Sequence, residues 1–142
     1  MKGFTLLELL LVIGAAILIA AFTIPVGVRF FQNQILDETT SSILGALRRA
    51  QNQAISQKND SVFGVKFLSG SYVLFQGNSY GSRIQSEDES FSLPGGITTA
   101  GIEEVVFAKL TGIPNTTGTL TIISGNDSQT LNINAQGSIE RQ

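Results

Sequence analysis

The chain contains neither cysteine nor histidine. That removes disulfide bridges, Cys/His zinc sites, thiol nucleophiles and every catalytic triad built on an imidazole base. Charge is scarce as well: Asp, Glu, Lys and Arg make up 14% of the 142 residues, where soluble domains carry about a quarter. Nine Lys/Arg stand against eleven Asp/Glu, a net charge of −2, so the basic excess by which a nucleic-acid binder neutralises phosphates is missing. Only a local basic patch escapes that exclusion. The length fits one domain with a modest core, and apolar residues, at 42%, are more than such a core needs.

The apolar excess is concentrated at the N-terminus. From Phe4 to Val28 the only clearly polar side chains are Thr5, Glu8 and Thr23, and Leu9 to Phe22 is unbroken apolar sequence. At about 1.5 Å per helical residue this stretch is long enough for a hydrocarbon core of about 30 Å. A cleavable secretory signal fits less well, because its apolar region is shorter and is preceded by several polar residues. Pro25 lacks an N–H and is expected to kink the helix near the membrane exit. Lys2 ahead of the run places the N-terminus in the cytoplasm and the rest of the chain outside.

Beyond Val28, polar residues enter with helical spacing. Leu36, Ile43, Leu47, Ala50 and Ala54 recur at steps of 7, 4, 3 and 4, which places them on one narrow face. The helix is expected to continue to a stop at Asn59-Asp60-Ser61. After Ser61 the period falls to 2. Strands are expected at Val62–Leu68, Tyr72–Gln76, Val105–Leu110, Gly118–Ser124 and Gln129–Asn134, with an edge strand at Ser138–Arg141. Leu120 and Ile122 alternate against Leu131 and Ile133 across a polar turn, the strongest hairpin signal in the chain. Pro94-Gly95-Gly96 reads as a turn, and Gln76–Asp88 as an exposed loop or weakly paired strand. The fold class is α+β: a long N-terminal helix, transmembrane and then amphipathic, packed on an antiparallel sheet. By residue number this divides into a leader 1–3, an apolar helix 4–28, an amphipathic continuation 29–60 and a β part 61–142.

One acid interrupts the apolar run. Glu8, within Gly3-Phe4-Thr5-Leu6-Leu7-Glu8, has a bland explanation as a first-turn acid at the headgroup boundary, favoured by the helix dipole. The whole hexapeptide at the head of an apolar helix resembles the class III signal of type IV pilins and type II secretion pseudopilins. In that family a prepilin peptidase cleaves after the glycine and methylates the new N-terminal residue. The resemblance therefore implies cleavage between Gly3 and Phe4 and N-methylation of Phe4. It also gives Glu8 an assembly role, offsetting the N-terminal amine of a neighbouring subunit. Two groups that are each costly in lipid become tolerable as a pair. Pro25 matches the helix-bending proline of many pilins.

A second stretch narrows the resemblance. Ala46-Leu47, Ala50 and Ala54-Ile55, followed by Asn59 and Val62, are similar to the pattern of the GspH/FimT branch of minor pilins and pseudopilins, as are Gly118–Ile122 and Gly137-Ser138-Ile139. Some DNA-binding members carry a basic C-terminal motif. In this chain that region reads Gly137-Ser138-Ile139-Glu140-Arg141, leaving Arg141 as a candidate weak DNA contact beside a repelling Glu140, so nucleic acid is not expected as a partner. The expected partners are other pilin or pseudopilin subunits, the prepilin peptidase, an inner-membrane assembly platform and membrane lipid. The implied location is the inner membrane, with the C-terminal part outside the cytoplasm, and then an extracellular or periplasmic filament. Glu87-Asp88-Glu89 lacks the ligand alternation of a calcium loop and reads as a solvated loop; Arg48-Arg49 reads as a solvated helix face. No metal, cofactor or catalytic pair is expected, and the function is mechanical rather than enzymatic. Its rivals are a DNA- or surface-binding subunit at a filament tip and a membrane-tethered enzyme.

Overall fold

Leu-, Ile- and Ala-rich sequence, helical despite Gly14, begins the longest element, α1, a 50-residue helix spanning Leu6–Ile55. The computed structural model describes residues 3–142, without the side chains of Phe22, Ile24, Pro25, Val26 and Val28. The cytoplasmic placement of Lys2 and the kink at the Pro25 ring therefore lie outside the described residues. The chain divides into two compact units, one ending at Gln34 and the other spanning Ile35–Gln142.

In the second unit, Leu36, Ile43, Leu47, Ala50 and Ala54 are all buried, and all join the main core cluster. The 7-4-3-4 stripe is thus the packing face. Thr39 and Thr40 are buried on the same helix, and each hydroxyl donates one turn back, to the Ile35 and Leu36 carbonyls at 2.7 and 2.8 Å. Those bonds remove the penalty of hiding an unpaired hydroxyl.

The helix stops at Ile55, four residues before the expected Asn59. Gln57 takes a left-handed conformation (φ 54°), and a short 3₁₀ turn covers Lys58–Asp60. The carbonyl of Ala54 accepts from the Gln57 N–H at 3.2 Å, in a tightened last turn, and from the Leu110 N–H at 3.1 Å. A contact about fifty residues away therefore helps to close the helix.

Eight strands follow: β1 Phe63–Leu68, β2 Ser71–Gln76, β3 Glu89–Ser92, β4 Ile97–Gly101, β5 Glu104–Phe107, β6 Gly118–Ser124, β7 Asp127–Ile133 and β8 Ile139–Arg141. They form not one sheet but two, each four-stranded and antiparallel, in the orders β3-β2-β1-β5 and β4-β6-β7-β8. The expected hairpin β6–β7 is present with Leu120 opposite Leu131, and β8 is the expected edge. β3 and β4 are additions that the sequence pattern did not announce. β5 ends at Phe107 because Ile113–Asn115 folds back along it: the Val106 N–H donates to Asn115 Oδ1 at 2.8 Å, and the Ala108 N–H to the Ile113 carbonyl at 2.8 Å.

The first sheet is buried on both faces. Phe63, Val65, Phe67, Tyr72 and Leu74 join the helix stripe, while Val73, Phe75 and Val106 form a second cluster with Val62, Leu68 and Tyr80. Period-2 alternation is therefore lost in β2, whose residues after Ser71 are all buried. Gly64 lies where this sheet is tightest: a Cβ there would come within 2.6 Å of the Val105 carbonyl oxygen and 2.7 Å of the Phe75 ring.

The Gln76–Asp88 segment is a loop containing two short 3₁₀ turns, Tyr80–Ser82 and Gln85–Glu87. It is organised rather than merely solvated. Arg83 Nε donates to Asp88 at 2.7 Å, Nη1 donates to the Tyr80 carbonyl at 2.7 Å, and the guanidinium lies 3.8 Å from the Tyr80 ring centre. With its side chain only 12% exposed, Asp88 corrects the expectation that Glu87-Asp88-Glu89 is a solvated run. Glu89 pairs with Arg49 at 2.8 Å, so one member of the Arg48-Arg49 face is engaged as well.

Candidate functional site

Threonine before an apolar run, with glutamate three residues later, is a helix-start signature, and α1 begins accordingly. Thr5 Oγ1 accepts the Glu8 backbone N–H at 3.3 Å, and the Thr5 carbonyl accepts the Leu9 N–H at 3.2 Å. Glu8 is the acid of the first turn, where the unpaired N–H groups favour negative charge. Phe4 and Gly3 precede the helix and are exposed, Phe4 at 82%. A Cβ on Gly3 would meet no atom within 4 Å. The fold itself makes no demand for glycine at that position.

Every described side chain from Gly3 to Gln34 is exposed. Leu6, Leu7, Leu9, Leu10, Leu11, Val12, Ile13, Ile17, Leu18 and Ile19 thus present a continuous apolar surface. The Thr23 hydroxyl is satisfied inside the helix, donating to the Ile19 carbonyl at 2.8 Å. Among the described residues no helix is long and apolar enough to cross a membrane; Phe22, Ile24, Pro25, Val26 and Val28, which belong to the apolar run of the sequence, are outside that count.

At the other end of the chain, Arg141 is drawn into an internal contact. Its Nη2 donates to Asp37 Oδ1 on α1, and Gln129 Nε2 from β7 donates to the same oxygen. These bonds, that of Gln129 foremost, hold the Asp37 carboxyl below its ordinary value despite the opposing desolvation. Glu140 accepts from the Ser138 hydroxyl at 3.0 Å. The one basic candidate for a DNA contact is therefore committed to an aspartate and flanked by a glutamate. In the sequence Asp37 belongs to the polar face of the helix, and its role there is hidden because its partners lie about ninety and a hundred residues further on.

Among the described residues no group of three or more acidic side chains is arranged to hold a metal ion. The cleft between Lys66–Gly70 and Thr98–Glu103 contains one ion pair, Lys66 Nζ to Glu103 at 3.2 Å, open to solvent.

The model of the type II transport protein GspH family matches residues 39–137. The chain belongs to the GspH family. No curated protein and no solved structure gave a match. The GspH match begins in the buried half of α1 and takes in β1 to β7 and Gly137. It thus coincides with the region that supplies nearly all of the core, and it leaves Gly3, Phe4, Glu8, Pro25 and Arg141 outside. The GspH part of the chain is the globular unit, and the bare apolar helix precedes it.

Proposed function

We propose that this GspH-family chain is a pseudopilin subunit of a type II secretion filament, anchored in the inner membrane by its N-terminal helix until an assembly platform extracts it. One observation carries the reading: every described side chain from Gly3 to Gln34 is exposed on a helix made largely of Leu, Ile, Val and Ala. A surface of that size and apolarity is not left in water. Lipid and, after extraction, the equivalent helices of neighbouring subunits are the partners that cover it. Glu8 then lies at the cytoplasmic boundary, offsetting an N-terminal amine during assembly.

Gly3 is compatible with processing: the fold makes no demand for glycine there, which leaves the Gly3–Phe4 bond open to a peptidase that needs a small residue before the cut. The subunit is mechanical, not catalytic. The engagement of Arg141 with Asp37 weighs against DNA binding. Intact-mass analysis of protein from membranes of cells with an active prepilin peptidase tests the reading. The expected species lacks Met1–Gly3 and begins with N-methyl-Phe4; an unprocessed N-terminus would overturn it.

A further inference from the structure

We propose that Arg29, Phe30 and Phe31 form an anchor that seats in the headgroup region of the outer leaflet and fixes the depth of the apolar helix. The inference rests on the membrane reading of the N-terminal helix and adds a second, positively charged boundary to it. Between Glu8 and Arg29 the sequence holds no ionisable residue. Twenty-one helical steps at about 1.5 Å span roughly 31 Å, close to the approximately 30 Å of a hydrocarbon core. With Glu8 at one interface, Arg29 therefore arrives at the other.

The residues after Arg29 suit that level. Phe30 and Phe31 are 71% and 63% exposed, and Gln32, Asn33 and Gln34 are exposed amides. The sequence passes from Ile24-Pro25-Val26-Gly27-Val28 to Gln32-Asn33-Gln34 within a few residues, with a cation and two rings at the change. A guanidinium reaches lipid phosphate while its methylenes stay among acyl chains, and aromatic rings settle where apolar and wet regions meet. A dry contact with a second copy fits less well, because it would strip water from Arg29 with no acid close by in sequence to receive it; the first acid after it is Asp37, which is already bonded to Arg141 and Gln129.

The chain has no tryptophan, so a single tryptophan reports depth without background. The full chain is reconstituted in phosphatidylcholine/phosphatidylglycerol liposomes as Leu18→Trp, Phe30→Trp, Phe31→Trp or Ser41→Trp, with lipids brominated at shallow or deep acyl positions. The expected pattern is strongest deep quenching for Leu18→Trp, strongest shallow quenching for Phe30→Trp and Phe31→Trp, and little quenching for Ser41→Trp. Adding Arg29→Leu to Phe31→Trp should move its quenching towards the deep lipids. If Leu18→Trp is deeply quenched but position 30 and 31 reporters behave like Ser41→Trp, the anchor is overturned and the membrane reading stands. If Leu18→Trp escapes quenching, the membrane reading itself falls. Shallow quenching that disappears as protein density rises would put a second copy on Phe30 and Phe31, and an unchanged depth in the Arg29→Leu variant would remove Arg29 from the anchor; either overturns the proposal as stated.

Discussion

Gln51, on the helix, donates through Nε2 to the carbonyl oxygen of Gly137 at 2.7 Å, across 86 residues of sequence. The same nitrogen donates to the Gly112 carbonyl at 3.0 Å, so one amide holds the loops after β5 and β7 against α1. Gly137 is at φ +85°, and a Cβ there would sit 2.6 Å from Gln51 Nε2 and 2.7 Å from the Gly112 oxygen. The glycine thus meets two demands, left-handed backbone and close approach. The Gly137-Ser138-Ile139 stretch that resembled the GspH/FimT branch has here a mechanical reason for its glycine.

Removing this staple should cost measurable stability. Gln51→Ala leaves two partly buried carbonyls without their donor, an expected loss of about 1–3 kcal/mol. Gly137→Ala should cost at least as much, since strain at positive φ adds to the clash. Urea unfolding with a common m-value decides it, and a Gly137→Ala midpoint equal to that of wild type would contradict the close approach.

Separability of the two units is a second expectation. The whole main core cluster lies at or beyond Leu36, and the compact unit begins at Ile35. A fragment of residues 29–142 should therefore be soluble and monomeric and unfold cooperatively, whereas the full chain should need detergent. Size-exclusion chromatography and a thermal melt followed by circular dichroism check this. An aggregated or non-cooperative fragment would mean that the apolar helix contributes to folding as well as to assembly.

How far the sequence was legible depended on how many apolar residues each element commits to the core. The helix stripe and the β6–β7 hairpin carry several each, and their periods are plain. β3, with Phe91 alone, and β4, with Ile97 and little else apolar, are half-exposed edge strands with almost no period to read. The split into two sheets was hidden for the same reason, since these edges belong to different sheets. Gln51 and Asp37 were invisible as anchors because a polar helical residue looks alike whether it faces water or a distant carbonyl. Gly3, Phe4 and Glu8 stand out through resemblance alone, and packing gives no reason for the first two, since Gly3 has no close neighbour and Phe4 is exposed.

The Asp37 cluster predicts an acid-sensitive contribution. Hydrogen bonds from Gln129 and Arg141 lower the folded-state pKa of Asp37, so its stabilisation is present above the ordinary carboxylate pKa of about 4 and is lost as pH falls through the lower folded value. In the 29–142 fragment, wild type should melt above Asp37→Asn at pH 7, with the gap closing as the pH falls below about 4. Because the cluster is exposed, the gap at pH 7 should also shrink in high salt. A gap constant from pH 7 to pH 3 would show that the carboxylate charge plays no part.

Glu8 allows its two explanations to be separated. As a first-turn acid at the headgroup boundary it acts within its own helix and has no partner in a neighbouring subunit to lose, so Glu8→Gln should assemble like wild type. As the partner of a neighbour's amine it needs its charge, and Glu8→Gln should then lose filament assembly along with Glu8→Leu. Membrane insertion should move the opposite way. Removing an acid whose insertion costs about 2.5–3.5 kcal/mol at the bilayer centre, and less near the interface, should leave Glu8→Leu at least as well inserted as wild type. Sheared-filament yield should be compared at equal membrane abundance, with cleavage before Phe4 verified by mass, because a processing defect would imitate an assembly defect. The expected result is processed, membrane-inserted Glu8→Leu and Glu8→Gln subunits that do not enter filaments. Normal incorporation of both would assign Glu8 to the helix start alone; incorporation of Glu8→Gln only would show that assembly needs the hydrogen-bonding side chain and not its charge.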